Sequence, residues 1–285
     1  MAQTYLSNFI PQVWSARMLD FLDKAHVFGS VVNRDYEGEI KAFGDTVKIN
    51  QIGDISISDY TKNDQSDTFP RPSELTSTQT TLKIDQAKMF NFIIDDIDAA
   101  QINPKVMDTA ISRASYGLAD VSDKFIAGMY ADAAVQVGTD AAPVTIKTTA
   151  AYEQLVALSQ KLDENNVPTV GRFVIVPPVF YSQLLLDDRF IKAGTSKSDG
   201  VLTNGLVGEA AGFTIYKSNN VSVDNTGKVY HIMAGHPMGI TFAQQVLSVE
   251  AYRPEKKFGN AVKGLMVYGA KVVQPKALAV LSASF

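Results

Sequence analysis

The sequence contains no cysteine, only one tryptophan and only three histidines. Without cysteine, disulfides, thiolate nucleophiles and thiolate metal ligands are all excluded. His231 and His236 are separated by Gly235 and lack the four-residue spacing of a helical metal-binding pair, and His26 is distant in sequence. We therefore expect packing and hydrogen bonding to hold the chain together, and we predict no metal site and no cofactor.

The sequence also lacks a large net charge of either sign and long apolar runs. The formal net charge is −4, so the composition offers no basic surface for nucleic-acid phosphates. No apolar run approaches the ~20 residues that span a bilayer, and no secretory signal is evident. Hydrophobic residues make up 46% of the 285 residues, which is typical of a folded globular protein with no membrane partner.

Motifs for nucleophilic catalysis and phosphate binding are missing as well. The sequence has neither a Gly-x-Ser-x-Gly elbow nor a Gly-x-x-x-x-Gly-Lys-Ser/Thr loop. Gly205, Gly208 and Gly212 have the wrong spacing for a dinucleotide fold and indicate turns. We predict no catalytic residues and a protein that is not an enzyme. A soluble α/β enzyme or ligand-binding protein with a discrete pocket stays open as an alternative.

Alternating residues between positions 45 and 84 predict a long β-hairpin. On the outward run, the apolar positions of the alternation are Val47, Ile49, Ile55 and Ile57. The return run, residues 76 to 84, is rich in β-branched residues, and residues 59 to 67 form a polar tip. A lone two-stranded ribbon is marginal in water, so we expect its apolar stripe to pack on another subunit.

A long amphipathic helix follows the hairpin. Asn103 is a suitable N-cap, and Pro104 stands at the first helical position. The apolar stripe is predicted to contain Met107, Ile111, Ala114, Leu118, Val121, Phe125 and Met129. Roughly thirty residues at 1.5 Å each would give a spine of about 45 Å.

Shorter elements make up the rest of the chain. We predict helices from Tyr152 to Leu162 and after Pro177. Strands are predicted at residues 173–176, 213–216, 229–233, 239–242, 249–252, 265–273 and 277–281. Residues 253–260 form a charged connector.

Three motifs in this order carry a resemblance to a known family. They are RFVIVPPVFYSQLL (residues 172–185), GFTIYKSNNV (212–221) and YGAKVVQPKALAVL (268–281). With the order of the elements along nearly the whole chain, they resemble major capsid proteins of tailed double-stranded DNA phages. The resemblance implies an α+β protein with the Hong Kong 97-type capsid fold. Its parts would be an N-terminal arm (1–43), an extended β-hairpin loop (44–88), a peripheral domain with the spine helix (89–137 and 248–285) and an axial α/β domain (138–247).

In function, the resemblance implies a structural protein. Many copies, as hexamers and pentamers, would build an icosahedral shell around packaged double-stranded DNA without sequence-specific binding. The protein would belong to the virion capsid and assemble in the bacterial host cytoplasm. Its expected partners are a portal, a separate scaffolding protein and a decoration protein. An encapsulin-type nanocompartment is the nearest alternative, and an adhesin that forms trimers or fibres is a further one.

The expected contacts between subunits lie on the arm, the hairpin and the charged connector. The candidate interface residues are Trp14, Val47, Ile49, Ile55, Ile57, Tyr60, Lys62, Leu82, Arg253, Lys256 and Lys257. Some members of the family form a Lys–Asn isopeptide bond between such regions, for which Lys62 and Asn260 are the candidates here. Residues 261–285 contain no Asp or Glu to assist that reaction, so we do not expect covalent cross-links.

Overall fold

The computed structural model describes residues 26–39, 42–52, 57, 77–95, 105–146, 151–187, 206–224, 226–255 and 259–285. The α-helices of this part are α1 (Phe28–Val31), α2 (Lys105–Ala127), α3 (Ala151–Glu164) and α4 (Pro178–Leu185). The strands are β1 (Thr46–Ile52), β2 (Ser77–Lys83), β3 (Gln86–Asp95), β4 (Val135–Val137), β5 (Val144–Thr145), β6 (Phe173–Val176), β7 (Leu206–Ala210), β8 (Phe213–Lys217), β9 (Ser222–Val223), β10 (Val229–Gly235), β11 (Ile240–Tyr252), β12 (Gly259–Val272) and β13 (Leu278–Ser284).

The largest sheet has eight strands. Its main order is β4-β13-β10-β6-β8-β7, with β5 also paired to β13 and β9 to β10. All four residues of β6 are buried, as the continuous apolar run Phe173–Val176 predicts for an interior strand. Helix α3 packs on this sheet through one fully buried face, which contains Ala151, Leu155, Leu158 and Leu162. The predicted strand, proline break and following helix are therefore confirmed.

A second sheet, in the order β11-β12-β3, is covered on one face by the spine helix α2. On that face Phe125 meets Tyr268 edge to face, with ring centroids 5.4 Å apart. The close approach of β3 depends on Gly264, where an added Cβ would lie 2.3 Å from the Phe90 ring. The predicted spine is thus the cover of a three-stranded sheet.

The buried face of the spine differs from the sequence-based expectation. Helix α2 has 23 residues, about 35 Å, and continues as a 3₁₀ turn at Gly128–Asp132. Val121 is 38% exposed, whereas Ser115 and Ser122 are buried. Both serine hydroxyls donate to backbone carbonyls one turn back, which satisfies them inside the core. The prediction that Val121 belongs to the buried stripe is therefore wrong.

Pairing between strands shows elements that the sequence did not predict. Strand β3 (Gln86–Asp95) was not predicted. Residues 239–242 and 249–252, predicted as two strands, belong to one strand, β11, with an irregularity between Val246 and Ser248. Strand β13 lies inside the eight-stranded sheet, where nearly all its residues are buried.

The base of the predicted hairpin is a two-stranded sheet of its own. Strands β1 and β2 pair antiparallel, with Val47 opposite Leu82. Their inner side chains pack on Ala243 and Val267, on the face of the second sheet that α2 leaves free. This corrects an expectation: the stripe that was predicted to seek another subunit is covered, at its described base, by the chain's own sheet.

Gly269 makes this docking possible. An added Cβ there would lie 2.3 Å from the backbone oxygen of Lys83 and 3.0 Å from the Cδ1 of Ile84. A Gly269→Ala variant is therefore expected to push the hairpin base off the sheet and to lower the free energy of unfolding by about 1–3 kcal/mol. Thermal unfolding and limited proteolysis of the hairpin measure the two effects.

Gly117, on the exposed face of α2, supplies the matched control. No atom lies within 4 Å of its added Cβ. Gly117→Ala is expected to raise stability by about 0.5–1 kcal/mol, because alanine restricts the unfolded chain and favours helix. If both variants melted at the wild-type temperature, the tight approach at Gly269 would be refuted.

Candidate assembly surfaces

The described chain begins with an anchor on the spine helix. Asp123, whose side chain is 1% exposed, accepts hydrogen bonds from the backbone N–H groups of Val27 (2.7 Å) and Gly29 (3.1 Å). Its carboxylate also accepts from Nδ1 of His26 at 2.9 Å. One buried acidic side chain thus binds the first turn of α1. We call residues 26–33 the arm anchor.

Strand β11 of the second sheet also forms hydrogen bonds with the arm anchor. The amide of Gln244 on β11 lies 3.0 Å from Nε2 of His26, so the imidazole bridges the spine and the sheet. Asn33 then pairs with β11: its N–H donates to Ile240 (3.0 Å), and its carbonyl accepts from Phe242 (2.8 Å). The chain that precedes residue 26 consequently starts from a fixed point on the molecule.

The second sheet exposes both apolar and charged side chains on the face that α2 leaves free, beyond the hairpin base. On edge strand β3, Met89 is 79% exposed. Nearby, Asn91 donates to the Tyr252 hydroxyl at 2.8 Å. Lys263 forms an ion pair with Glu250 at 2.9 Å and lies over the Tyr252 ring. This face is therefore an ordered surface that combines an exposed thioether with an aromatic and ionic cluster.

The eight-stranded sheet carries a second exposed apolar region. The loop between α3 and β6 presents Val170, which is 84% exposed. Further exposed apolar side chains, on helices α3 and α4 or directly after α4, are Val156, Val179, Leu185 and Leu186. In the single chain these side chains are open to solvent.

A buried arginine fixes the Val170 loop. Arg172 is 2% exposed, and its guanidinium donates to the carbonyls of Pro168 (2.8 Å) and Val167 (2.6 Å) and to Asp163 (2.7 Å). It also reaches Ser159 at 3.4 Å. Because one planar group holds both helix α3 and the loop, Val170 is presented on a rigid support.

The candidate interface residues fall into three groups. Trp14, Ile55, Tyr60, Lys62, Lys256 and Lys257 lie outside the described residues. Val47, Ile49 and Leu82 are buried against the chain's own sheet, so they offer no surface to a neighbour. Ile57, at 96% exposure, and Arg253 lie at the surface.

His236 lies at the start of a short 3₁₀ turn. His236 accepts from the backbone N–H of Met238 and caps a short 3₁₀ turn. Within the residues that the structure describes, no three His, Asp or Glu side chains are grouped to hold a metal ion. Among the described helices, none is long and apolar enough to cross a membrane.

Comparison with known protein families gives a match over most of the chain. The family model described as phage capsid protein matches residues 77–281, which is most of the chain. The chain belongs to the phage capsid protein family. It is a structural shell protein of the virion capsid, and the capsid consists of many copies of it. Its fold is the Hong Kong 97-type fold that the sequence predicts.

Solved structures support the assignment of this capsid protein. A structure from Mycobacterium phage Che8 is 27% identical, with 90% of each chain covered and a TM-score of 0.68. The capsid structure of the cyanophage P-SCSP1u is 16% identical over 92% of this chain and 87% of its own, with a TM-score of 0.65. No curated protein matches the sequence significantly.

The encapsulin alternative rests on fold alone. A holo encapsulin complex from Synechococcus elongatus is 13% identical over 85% of this chain and 83% of its own, with a TM-score of 0.54. The capsid protein thus shares its architecture with shells that differ in content. The family match is to phage capsid proteins.

Proposed function

We propose that this capsid protein forms hexamers and pentamers that close into an icosahedral shell around packaged double-stranded DNA. Assembly would take place in the cytoplasm of the bacterial host, with a portal and a separate scaffolding protein, and a decoration protein is an optional outer partner. No enzymatic step is proposed for the chain. The chain would be divided into an arm, an extended loop, a peripheral domain and an axial domain. Strand β13 would belong to the axial domain, since it pairs within the eight-stranded sheet.

The observation that carries this proposal is the exposure of apolar side chains in separate regions. Three side chains are mostly exposed to solvent in the single chain. They are Ile57 in the hairpin region, Met89 on the second sheet and Val170 beside the eight-stranded sheet. Single exposed apolar residues are common on soluble proteins, so these three are candidate contacts whose weight comes from the match to the phage capsid family. Copies of the same chain, arranged around several symmetry axes, would cover all of them.

Charge complementarity supports a contact between the hairpin of one copy and the β11–β12 connector of the next. The acidic residues of segment 53–76 are Asp54, Asp59, Asp64, Asp67 and Glu74, against the basic residues Lys62 and Arg71. The connector adds Arg253, Lys256 and Lys257 against Glu255. Opposite charges steer the two segments together and fix their register. The predicted hairpin contact therefore shifts from the buried base to the outer segment.

The inner wall has no need of strong DNA binding. With a net charge of −4, the chain lacks a basic excess that would neutralise phosphates. A weakly repulsive wall would let DNA enter without being trapped. This supports enclosure of the genome without sequence-specific contacts.

Electron microscopy of the purified protein tests the proposal. Closed icosahedral shells with hexamers and pentamers are the expected result. Compact monomers or small closed oligomers would refute it, and so would trimers or fibres. Shells that copurify with an enzyme cargo would favour the encapsulin alternative. On heating in detergent, the subunits should migrate as monomers, since cross-linking between Lys62 and Asn260 is not expected.

Deletion of residues 59–67 tests the hairpin contact. We expect the deleted chain to fold but to form few or no stable shells, because the acidic segment that contacts the neighbouring connector is lost. The measurements are particle counts by electron microscopy and circular dichroism of the soluble subunit. A Gly/Ser replacement of equal length is the control for loop closure and should fail in the same way. Normal, equally stable shells from both variants would count against the hairpin's role.

A further inference from the structure

Strand β3 forms one edge of the second sheet. It has 10 residues and pairs with β12 along its whole length without an irregularity. No other strand of the described chain pairs with its opposite side. In an antiparallel pair the hydrogen-bonding groups of successive residues point to opposite sides, so half of the backbone N–H and C=O groups of β3 face away from β12. Such an edge is a template for a further strand.

The other edges of the two larger sheets are shorter or irregular. At the far side of the second sheet, β11 pairs with Asn33 at its start and has an irregularity between Val246 and Ser248. In the eight-stranded sheet, edge strands β4 and β7 have 3 and 5 residues, and β7 is irregular as well. Strand β3 contains no proline, and its only charged residues are Lys88 and Asp95. It therefore lacks the usual protection of a free edge.

The side chains of β3 are apolar on both faces of the sheet. On the side of α2, the half-buried rings of Phe90 and Phe92 stack with centroids 6.0 Å apart. On the opposite face, Met89 and Ile93 are 79% and 38% exposed, with Asn91 between them. A strand added at this edge would place its own side chains directly beside both rows.

The sequence of β3 is complementary to itself in one antiparallel register. A twofold axis perpendicular to the sheet at Asn91 places Met89 of each copy opposite Ile93 of the other, on the same face. It also places Phe90 opposite Phe92 on the α2 side and the two Asn91 amides opposite each other. Moving the axis by one residue would instead place Asn91 opposite Met89 or Ile93. The register at Asn91 therefore pairs apolar with apolar and amide with amide.

We propose that β3 pairs with β3 of a second copy about a twofold axis at Asn91, so that two three-stranded sheets join into one of six strands. The partner is a second copy because the edge complements itself and the capsid consists of many copies of the chain. Such a contact, in which both copies use the same surface, is the commonest kind in symmetric oligomers. It rests on the proposed function in one respect: it would be one of the contacts between copies in the shell.

Disulfide trapping tests the pairing and its register, because the chain has no cysteine of its own. Directly opposite residues have Cβ atoms about 4.5–5.5 Å apart, close to the distance that a disulfide spans. Asn91→Cys, oxidised with copper phenanthroline, should therefore give a covalent dimer on a non-reducing gel. Met89→Cys and Ile93→Cys chains should cross-link when they are mixed, but hardly when each is alone. Ala87→Cys is the control: this exposed residue lies on the same strand, far from its own copy in this register.

A charged side chain at the edge tests whether the pairing depends on β3. Adding Ile93→Lys to Asn91→Cys should remove most of the cross-link, because a lysine on an edge strand opposes pairing with another strand. Val121→Lys is the matched control, since Val121 is equally exposed, at 38%, but lies on the spine helix. It should leave the cross-link unchanged. Circular dichroism shows that each variant folds.

The outcomes separate this pairing from the proposed shell. A cross-link at position 91 and between positions 89 and 93, lost with Ile93→Lys, supports the pairing in free subunits and shells alike. No cross-link at position 91, or an equal one at position 87, overturns it. Shells that form without the cross-link refute the pairing and leave the shell proposal intact. Cross-linked dimers that never form shells do the reverse.

Discussion

Replacing Asp123 by alanine is expected to lower the free energy of unfolding by about 3–5 kcal/mol, the usual cost of removing one partner from a buried charged network. The carboxylate accepts from the backbone N–H groups of Val27 and Gly29 and from the His26 ring. Without it, these buried donors lose their partner. The arm anchor should therefore detach from the spine.

Asp120→Ala on the same helix is the matched control. Asp120 forms a surface ion pair with Lys124 at 2.6 Å, one turn along α2. An exposed pair of this kind contributes below about 1 kcal/mol, so the control should melt near the wild-type temperature. Hydrogen–deuterium exchange at residues 26–33 gives the local readout: fast exchange in Asp123→Ala alone is expected. Equal protection in both variants would refute the anchor.

The consequence for assembly follows from the position of the anchor. His26 lies between Asp123 on the spine and Gln244 on the second sheet. The arm anchor is therefore fixed on two elements, and the contacts proposed for the arm depend on it. We expect Asp123→Ala to reduce shell yield more than its effect on subunit stability alone would cause.

Short sequence patterns predicted strand β6 and helices α3 and α4. The apolar run Phe173–Val176 followed by Pro177 and Pro178 defines a buried strand and the start of a helix, because proline cannot continue a central strand. The spacing of Leu155, Leu158 and Leu162 likewise defined α3. In these cases a residue's neighbours in sequence determine its environment.

Two features that depend on distant partners were not predicted correctly. Strand β3 is recognised through its pairing with β12, and no alternation in residues 86–95 marks it clearly. Burial of the Val47 and Leu82 stripe was assigned to a neighbour, because the sequence does not show that Ala243 and Val267 cover it. Small residues such as Ala243 give no strong signal of a docking face.

Buried polar residues were the second source of error. Asp123 stands on the covered face of an amphipathic helix, and a charged residue at such a position is a signal that an anchor is present. Arg172 precedes a continuous apolar strand in the same way. Hydrophobic periodicity treats both as solvated side chains, although each satisfies several buried backbone groups.

Arg172→Met is expected to lower stability by about 3 kcal/mol, because each buried acceptor left without a donor costs about 1–3 kcal/mol. The methionine side chain fills much of the space of the arginine stem. It cannot donate to the carbonyls of Val167 and Pro168, which the guanidinium contacts at 2.6 Å and 2.8 Å. The loop that presents Val170 should lose its rigid support. Thermal unfolding and proteolysis within residues 165–171 measure the two effects.

Two variants separate charge from geometry at this site. Arg172→Lys retains the positive charge but replaces the planar fork with one nitrogen, so it should melt between wild type and Arg172→Met. Lys161→Met removes a surface ion pair with Glu164 on the same helix and should change the melting temperature little. If Arg172→Lys behaved as wild type, charge alone would hold the loop. If Arg172→Met did so, the carbonyls would need no donor, and the case for Val170 as a rigidly presented contact would fail with it.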